Sequence, residues 1–329
     1  MVNDADIARA AAILRDGGLV AFPTETVYGL GANALNERAV ARVFEVKARP
    51  RFDPLIVHIA EMEWLPRLTA DFPPLAMQLA EKFWPGPLTL VLPKTSAVPD
   101  LVTAGGCTVA VRVPDHPVAL RLLRAVDLPI AAPSANPFGR ISPTCAEHVR
   151  EQLGPRIDLI LDGGPCRVGV ESTVLQLTPQ GPLLLRHGGT TLEEIEELIG
   201  KVRVATGSGA GLPTPGLVSP GTLPQHYAPR TALVVVETRE PASVGVGEGE
   251  PVSGQRVGLL AFCEGDQTSR FVQVEILSAT GDLSEAAANL FAALRRLDAA
   301  GLDLIVAETF PEVGLGRAVN DRLRRAAHS

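Results

Sequence analysis

The chain has 329 residues, 46% of them hydrophobic but only 4% aromatic, so aliphatic side chains must fill its cores, and the length suits about two domains. Its formal net charge of −7 falls as −3 on residues 1–206 and −4 on 207–329, which excludes a polyanion-binding domain built on bulk charge and leaves only a local site of a few focused arginines. No apolar stretch is long and uncharged enough to span a bilayer, and Cys107, Cys145, Cys166 and Cys263 form no CxxC pair, which argues against a zinc site or a disulfide framework.

The N-terminal MVNDADIARAAAILRDGG carries acids among its apolar residues. It reads as an amphipathic helix capped near Asn3 or Asp4, not as a signal peptide, so the expected compartment is the cytoplasm. GLVAF then reads as a strand that stops at Pro23. FPTETVYGLG, residues 22–31, follows with three hydroxyl residues, an acid and two glycines. Taken alone it is either a turn, with Gly29 and Gly31 supplying special backbone angles, or a wall of a polar-ligand pocket at a strand end. It is not a Walker loop, since no Gly-Lys-Ser/Thr follows.

ERAVARVFEVKAR has helical spacing, and KARPRFDPLIVHI (47–59) comes after it. Arg49-Pro50 and Asp53-Pro54 favour extended backbone. Alternation there places Lys47, Arg49 and Arg51 on one side, a set suited to a triphosphate or simply to a solvated basic loop. The strand PLIVHIA carries His58. After the helix PPLAMQLAEKFW and the strand LTLVLP comes TVAVRVPDHP (108–117), with Arg112 between two valines. A half-buried arginine needs an anionic partner, from the protein or from a substrate.

A helix follows Pro117. PIAA then leads into the loop APSANPFGRISPT (132–144), rich in hydroxyls and amides. A helix at TCAEHVREQLG and the strand DLILDGG precede DGGPCRVGVESTV (162–174). STVLQL and PLLLRHG read as strands, and TLEEIEELIG as a helix with acids in its first turn. Together these make one mixed α/β domain, residues 1–206. Residues 205–230 are rich in Gly, Pro, Ser and Thr and read as a linker, yet they carry the pair His226-Tyr227. From 231 to 329, ALVVVE, RVGLLAF, FVQVEIL and LDLIVAE alternate with two helices. This predicts a smaller, mostly parallel α/β unit without a GxGxxG.

FPTETVYGLG, KxRPxxxPLIVHI, WPGPLTLVL, AVRVPDHP, PSANxxGxxSPT, DGGPCxxGxESTV and SPGxxxxHYAP, in this order, resemble the YrdC-like family in its two-domain form, the L-threonylcarbamoyladenylate synthases. The resemblance implies an N-terminal open twisted mixed sheet with helices and a concave cleft. It also implies a smaller Rossmann-like C-terminal domain (231–329), with residues 207–230 as a linker or lid over the active site. The implied reaction joins L-threonine, bicarbonate or CO2, and ATP into threonylcarbamoyl-AMP and pyrophosphate, with magnesium accompanying ATP. A downstream transferase complex would place the product on tRNA, with no stable tRNA binding and no membrane required.

Carried over by motif position, Thr26, His58, Arg112 and Ser172 would bind threonine. Arg49, Asp53, Thr108, Ser134, Asn136, Ser142, Arg186 and Tyr227 would bind ATP, and Lys47 and Arg49 would act as the catalytic cations. Asp53 stands where the family more often has a neutral residue, and an acid is unfavourable beside a triphosphate unless it helps hold magnesium. An alternative of a different class is a non-catalytic RNA-binding module using the same basic cleft. The acidic total charge and the two tyrosines argue against it. A related carbamoyl-adenylate enzyme of hydrogenase maturation would be expected to bring acylphosphatase and zinc-finger segments.

Overall fold

The computed structural model describes residues 2–205, 226–237, 254–265 and 271–327. These residues divide into two compact units. One holds 2–138, 142–167 and 171–205; the other holds 139–141, 168–170 and the described residues from 226 onward.

In the first unit α1 (Asp4–Arg15) opens on a capping box, in which Asn3 and Asp6 each accept the other's backbone N–H. Ile7, Ala10, Ala11 and Leu14 form its buried stripe. β1 (Val20–Phe22) then pairs antiparallel with β2 (Gly29–Asn33). Here the structure departs from expectation, because GLGAN is a strand and not a turn. Neither Gly29 nor Gly31 takes a positive φ. A Cβ on Gly31 would lie 2.8 Å from Phe22 Cε1 and 3.0 Å from Ile130 Cγ2, so this glycine permits close approach of neighbouring side chains.

α2 (Glu37–Lys47) is capped by Asn36 and ends at Ala48 in the left-handed region, φ 51°. The expected one-sided row of three cations therefore does not form. The helix reaches Lys47, the chain reverses at Ala48, and Arg51 is exposed while Lys47 and Arg49 are buried. The remaining elements are β3 (Ile56–His58), α3 (Pro74–Phe83), β4 (Leu88–Pro93), α4 (Asp100–Thr103), β5 (Thr108–Arg112), α5 (Pro117–Val126), β6 (Ile130–Ala131), α6 (Ala146–Leu153), β7 (Leu159–Ile160), β8 (Thr173–Thr178), β9 (Gly181–Arg186), α7 (Leu192–Ile199) and β10 (Arg203–Val204).

Among the described residues the strands form one mixed sheet in the order β10-β9-β8-β4-β5-β3-β6-β2-β1-β7. Period-two alternation sorts the central strands into two faces. Val57, Leu88, Leu90, Leu92, Val109, Val111, Leu175 and Leu184 join the main core with the helices. Ile56, Val91, Ala110 and Val174 form a separate small apolar cluster, which parity places on the opposite face. His58, Thr89, Thr108 and Arg112 share that second parity.

The second unit contains β11 (Ala232–Val236), β12 (Val257–Ala261), β13 (Gln273–Ile276), α8 (Leu283–Ala299), β14 (Leu304–Glu308) and α9 (Leu315–Ala327). Its described strands are all parallel, in the order β11-β14-β12-β13. The short segments 139–141 and 168–170 belong to this unit. Ala228 N donates to Gly139 O at 2.7 Å, and a Cβ on Gly169 would lie 2.4 Å from Ala287 O. Of the expected lid, residues 207–225 lie outside the described residues. No described helix is long and apolar enough to cross a membrane.

Candidate active site

The polar stretch after β1 is folded around one hydroxyl. Thr24 Oγ1 donates to Val27 O at 2.7 Å and accepts the backbone N–H of Thr26 and Val27, both at 3.2 Å. Thr26 Oγ1 lies 2.8 Å from the same oxygen. Glu25, between them, is 1% exposed. Its Oε2 accepts from Arg112 Nη2 at 3.2 Å and from the backbone N–H of Asp115 at 3.0 Å. Arg112, the last residue of β5, is 2% exposed, and this carboxylate answers its need for an anion from within the protein. Among the described residues Glu25 Oε1 and Arg112 Nε have no hydrogen-bond partner.

Parallel pairing of β3 with β5 sets His58 beside Arg112. The imidazole meets the Phe22 ring edge-on, with centroids 6.1 Å apart. Burial, and then the Arg112 charge, hold His58 well below its ordinary pKa, so it is neutral at neutral pH. Ser172 precedes β8, and its hydroxyl lies 2.8 Å from Thr89 Oγ1 on β4. These groups meet at strand ends: His58 closes β3, Arg112 closes β5, Thr89 lies one residue into β4 and Ser172 leads into β8. Thr89, His58 and Arg112 are brought together on a sheet face by alternation, with loops supplying Thr26 and Ser172.

The second group is cationic. The Lys47 ammonium donates to the carbonyls of Ser134 and Asn136, which fixes the loop after β6. Burial, then neighbouring Arg49, push the Lys47 pKa well below its usual value. Arg49 donates through Nε to Asp53 O (3.1 Å) and through Nη2 to Pro54 O (2.8 Å), and Nη2 lies 2.9 Å from Asp53 Oδ2. Arg186 donates through Nε and Nη2 to Ser172 O (3.1 and 2.9 Å) and through Nη2 to Ser172 Oγ (3.2 Å). Asp53 is fully buried, and burial raises its pKa against the opposing charges of Arg49, Lys47 and Arg186. The acid that looked misplaced beside a triphosphate is therefore paired with Arg49. Gly188 lets the turn after β9 pass close behind Ser172, since a Cβ there would fall 2.3 Å from Glu171 O.

Ser142 donates to Glu171 Oε1 at 2.6 Å. Ser134 is half-buried in the loop held by Lys47, and Asn136 is buried there. Thr108 opens β5, half-buried. Tyr227 belongs to the second unit, where its buried ring stacks on Phe291 with centroids 5.7 Å apart and lies 5.3 Å from the Arg322 guanidinium carbon. Glu25, Thr89 and Glu171 received no role from the motifs. For Glu25 a signal existed: an acid three residues after β1, in a chain whose arginine in a β-branched run lacked an assigned partner. Among the described residues no group of three side chains suited to a metal ion occurs.

Residues 12–188 match the Sua5/YciO/YrdC family model, whose description is telomere recombination, and residues 190–328 match the threonylcarbamoyl-AMP synthase C-terminal domain. The chain is 47% identical to the threonylcarbamoyl-AMP synthase of Pyrococcus abyssi, over 99% of this chain and 95% of that protein. It is 48% identical to the synthase of Bacillus subtilis, over 99% and 94%. The crystal structure of P. abyssi Sua5 complexed with L-threonine superposes with a TM-score of 0.88 at 45% identity, covering 99% of this chain and 95% of that one. With both family domains matched in order and full-length relatives this similar, the chain belongs to the Sua5/YciO/YrdC family, in the form that carries the threonylcarbamoyl-AMP synthase C-terminal domain.

Proposed function

We propose that this protein is a threonylcarbamoyl-AMP synthase, making that product and pyrophosphate from L-threonine, bicarbonate or CO2, and ATP. The observation that carries the reading is the set of four buried cations, Lys47, Arg49, Arg112 and Arg186, countered by the carboxylates Glu25 and Asp53 and held by a network of specified hydrogen bonds. So many desolvated charges in one domain are costly unless anionic substrates use them.

In the reaction the threonine amine attacks CO2 to give a carbamate. A carbamate oxygen then attacks the α-phosphorus, and pyrophosphate leaves. Two anionic reactants must approach, so preorganised cations and positioning supply most of the acceleration. In our assignment Arg112, with neutral His58 beside it, takes the amino-acid carboxylate, while Thr26 and Ser172 offer hydroxyls to the rest of the substrate. Arg49, Arg186 and the remaining Lys47 N–H take the phosphates. Ser134, Asn136, Ser142 and Thr108 complete the nucleotide contacts. Magnesium enters with ATP as part of the substrate. The product then passes to a transferase that modifies tRNA.

The test is pyrophosphate release from ATP by the full chain, with threonine and bicarbonate each omitted in turn, and with the product identified by mass. Release that requires both supports the assignment. Tight RNA binding without threonine-dependent release would instead favour a binding module.

A further inference from the structure

The buried carboxylate Glu25 is only half used by the protein. Its Oε2 is occupied by Arg112 Nη2 and the Asp115 N–H, whereas among the described residues buried Oε1 receives no donor and the Arg112 Nε–H of the same ion pair finds no acceptor. A carboxylate accepts about four hydrogen bonds, and a buried charged oxygen left without one is costly. Orienting Arg112 needs Oε2 alone, so that role leaves Oε1 unexplained. The nearby groups do not compensate. Thr24 and Thr26 bond to each other, Asp115 sends its own carboxylate to Arg167 at 2.8 Å, and Glu171 accepts from Ser142.

An α-amino acid carries its carboxylate and its ammonium on a single carbon. A site that captures both needs a cation and an anion side by side, each with capacity to spare. We propose that Glu25 receives the α-ammonium of the substrate on Oε1, so that Glu25 and Arg112 form a matched receptor for a zwitterion. The proposal rests on the synthase reading and adds a substrate-binding residue to it. It restricts the substrate to α-amino acids and rejects hydroxy acids of the same shape.

The experiment is calorimetric titration of the full chain with L-threonine and with 3-hydroxybutanoate, which keeps a carboxylate and a hydroxyl but has no ammonium. Wild type should bind L-threonine at least about ten-fold more tightly, as expected for a charged hydrogen bond; equal affinities overturn the proposal. Glu25→Gln, of equal size, should lose about ten-fold or more for L-threonine and less than about two-fold for 3-hydroxybutanoate. An equal loss for both ligands would mean that Glu25 acts only through Arg112, and no loss would remove it from the site; either refutes the proposal. Should the glutamine variant unfold in a thermal scan, Glu25→Asp is judged by the same comparison. The synthase reading fails separately, if wild type shows neither threonine binding nor threonine-dependent pyrophosphate release.

Discussion

Replacing Arg112 with methionine keeps an unbranched apolar stem and removes the guanidinium charge. Glu25, 1% exposed, would then keep only the Asp115 N–H. Breaking a buried pair from one side costs about 3–5 kcal/mol, because the surviving charge stays desolvated. For a domain of about 200 residues each kcal/mol moves Tm by roughly 2–4 °C, so the fall should be about 6–20 °C. Adding Glu25→Leu removes the stranded charge, and the double variant should regain most of that loss while remaining inactive. In whatever fraction of Arg112→Met stays folded, the threonine concentration for half-maximal pyrophosphate release should rise about 10- to 150-fold, the worth of one charged hydrogen bond, with the ATP requirement unchanged. Scanning calorimetry and two-substrate kinetics read the two parts independently. A Tm within about 2 °C of wild type, or a double variant no more stable than the single, refutes the buried-pair argument. An unchanged threonine requirement removes Arg112 from the amino-acid pocket.

A pocket built to hydrogen-bond a hydroxyl should reject valine by about 10⁴-fold, while serine, lacking one methyl contact worth about 1 kcal/mol, should turn over poorly but detectably. Turnover of valine equal to threonine would dismiss Thr26 and its neighbours as that pocket. Gly31→Ala forces a methyl against Phe22 and Ile130 and should cost about 1–3 kcal/mol by thermal melting; an unchanged melt would show that the strands part freely. His58 is held below its ordinary pKa near 6.5, so beneath that pH the unfolded chain binds a proton that the folded one refuses. This contribution to stability is complete above about pH 6.5 and is lost on acidification, by up to about 1.4 kcal/mol per pH unit. His58→Gln should flatten that part of the profile, and parallel wild-type and variant profiles would contradict the assignment.

The long periodic segments were legible in the sequence because their signals are local. α5, for example, begins at Pro117 and buries Val118, Ala119, Leu122 and Leu123 at the expected spacing. β2 was not legible. Two glycines in five residues resemble a turn, and only the packing of Phe22 and Ile130 reveals why small residues line a strand there. The motifs named the residues around the candidate site, but their present partners are long-range. Glu25 meets Arg112 across 87 positions, and Lys47 reaches Asn136 across 89. Alternation after Lys47 indicated a one-sided row of three cations. A left-handed residue after the helix turned two of those cations inward and left Arg51 outside.

Site and core are written into the same strands at alternate positions. In β5, Val109 and Val111 serve the hydrophobic interior while Thr108, Ala110 and Arg112 serve the other face. A single inserted or deleted residue would therefore do more than shift a loop. It would carry the guanidinium into the aliphatic interior and bring a valine out to replace it, so folding and chemistry would fail together. Evolutionary drift in these strands is confined to substitutions, or to length changes absorbed by a bulge. β8 and β9 carry such an irregularity between Val174 and Leu175, one residue past the start of the strand that follows Ser172. Laboratory recombination of this domain with distant relatives should accordingly tolerate crossovers in loops and reject those that change strand parity.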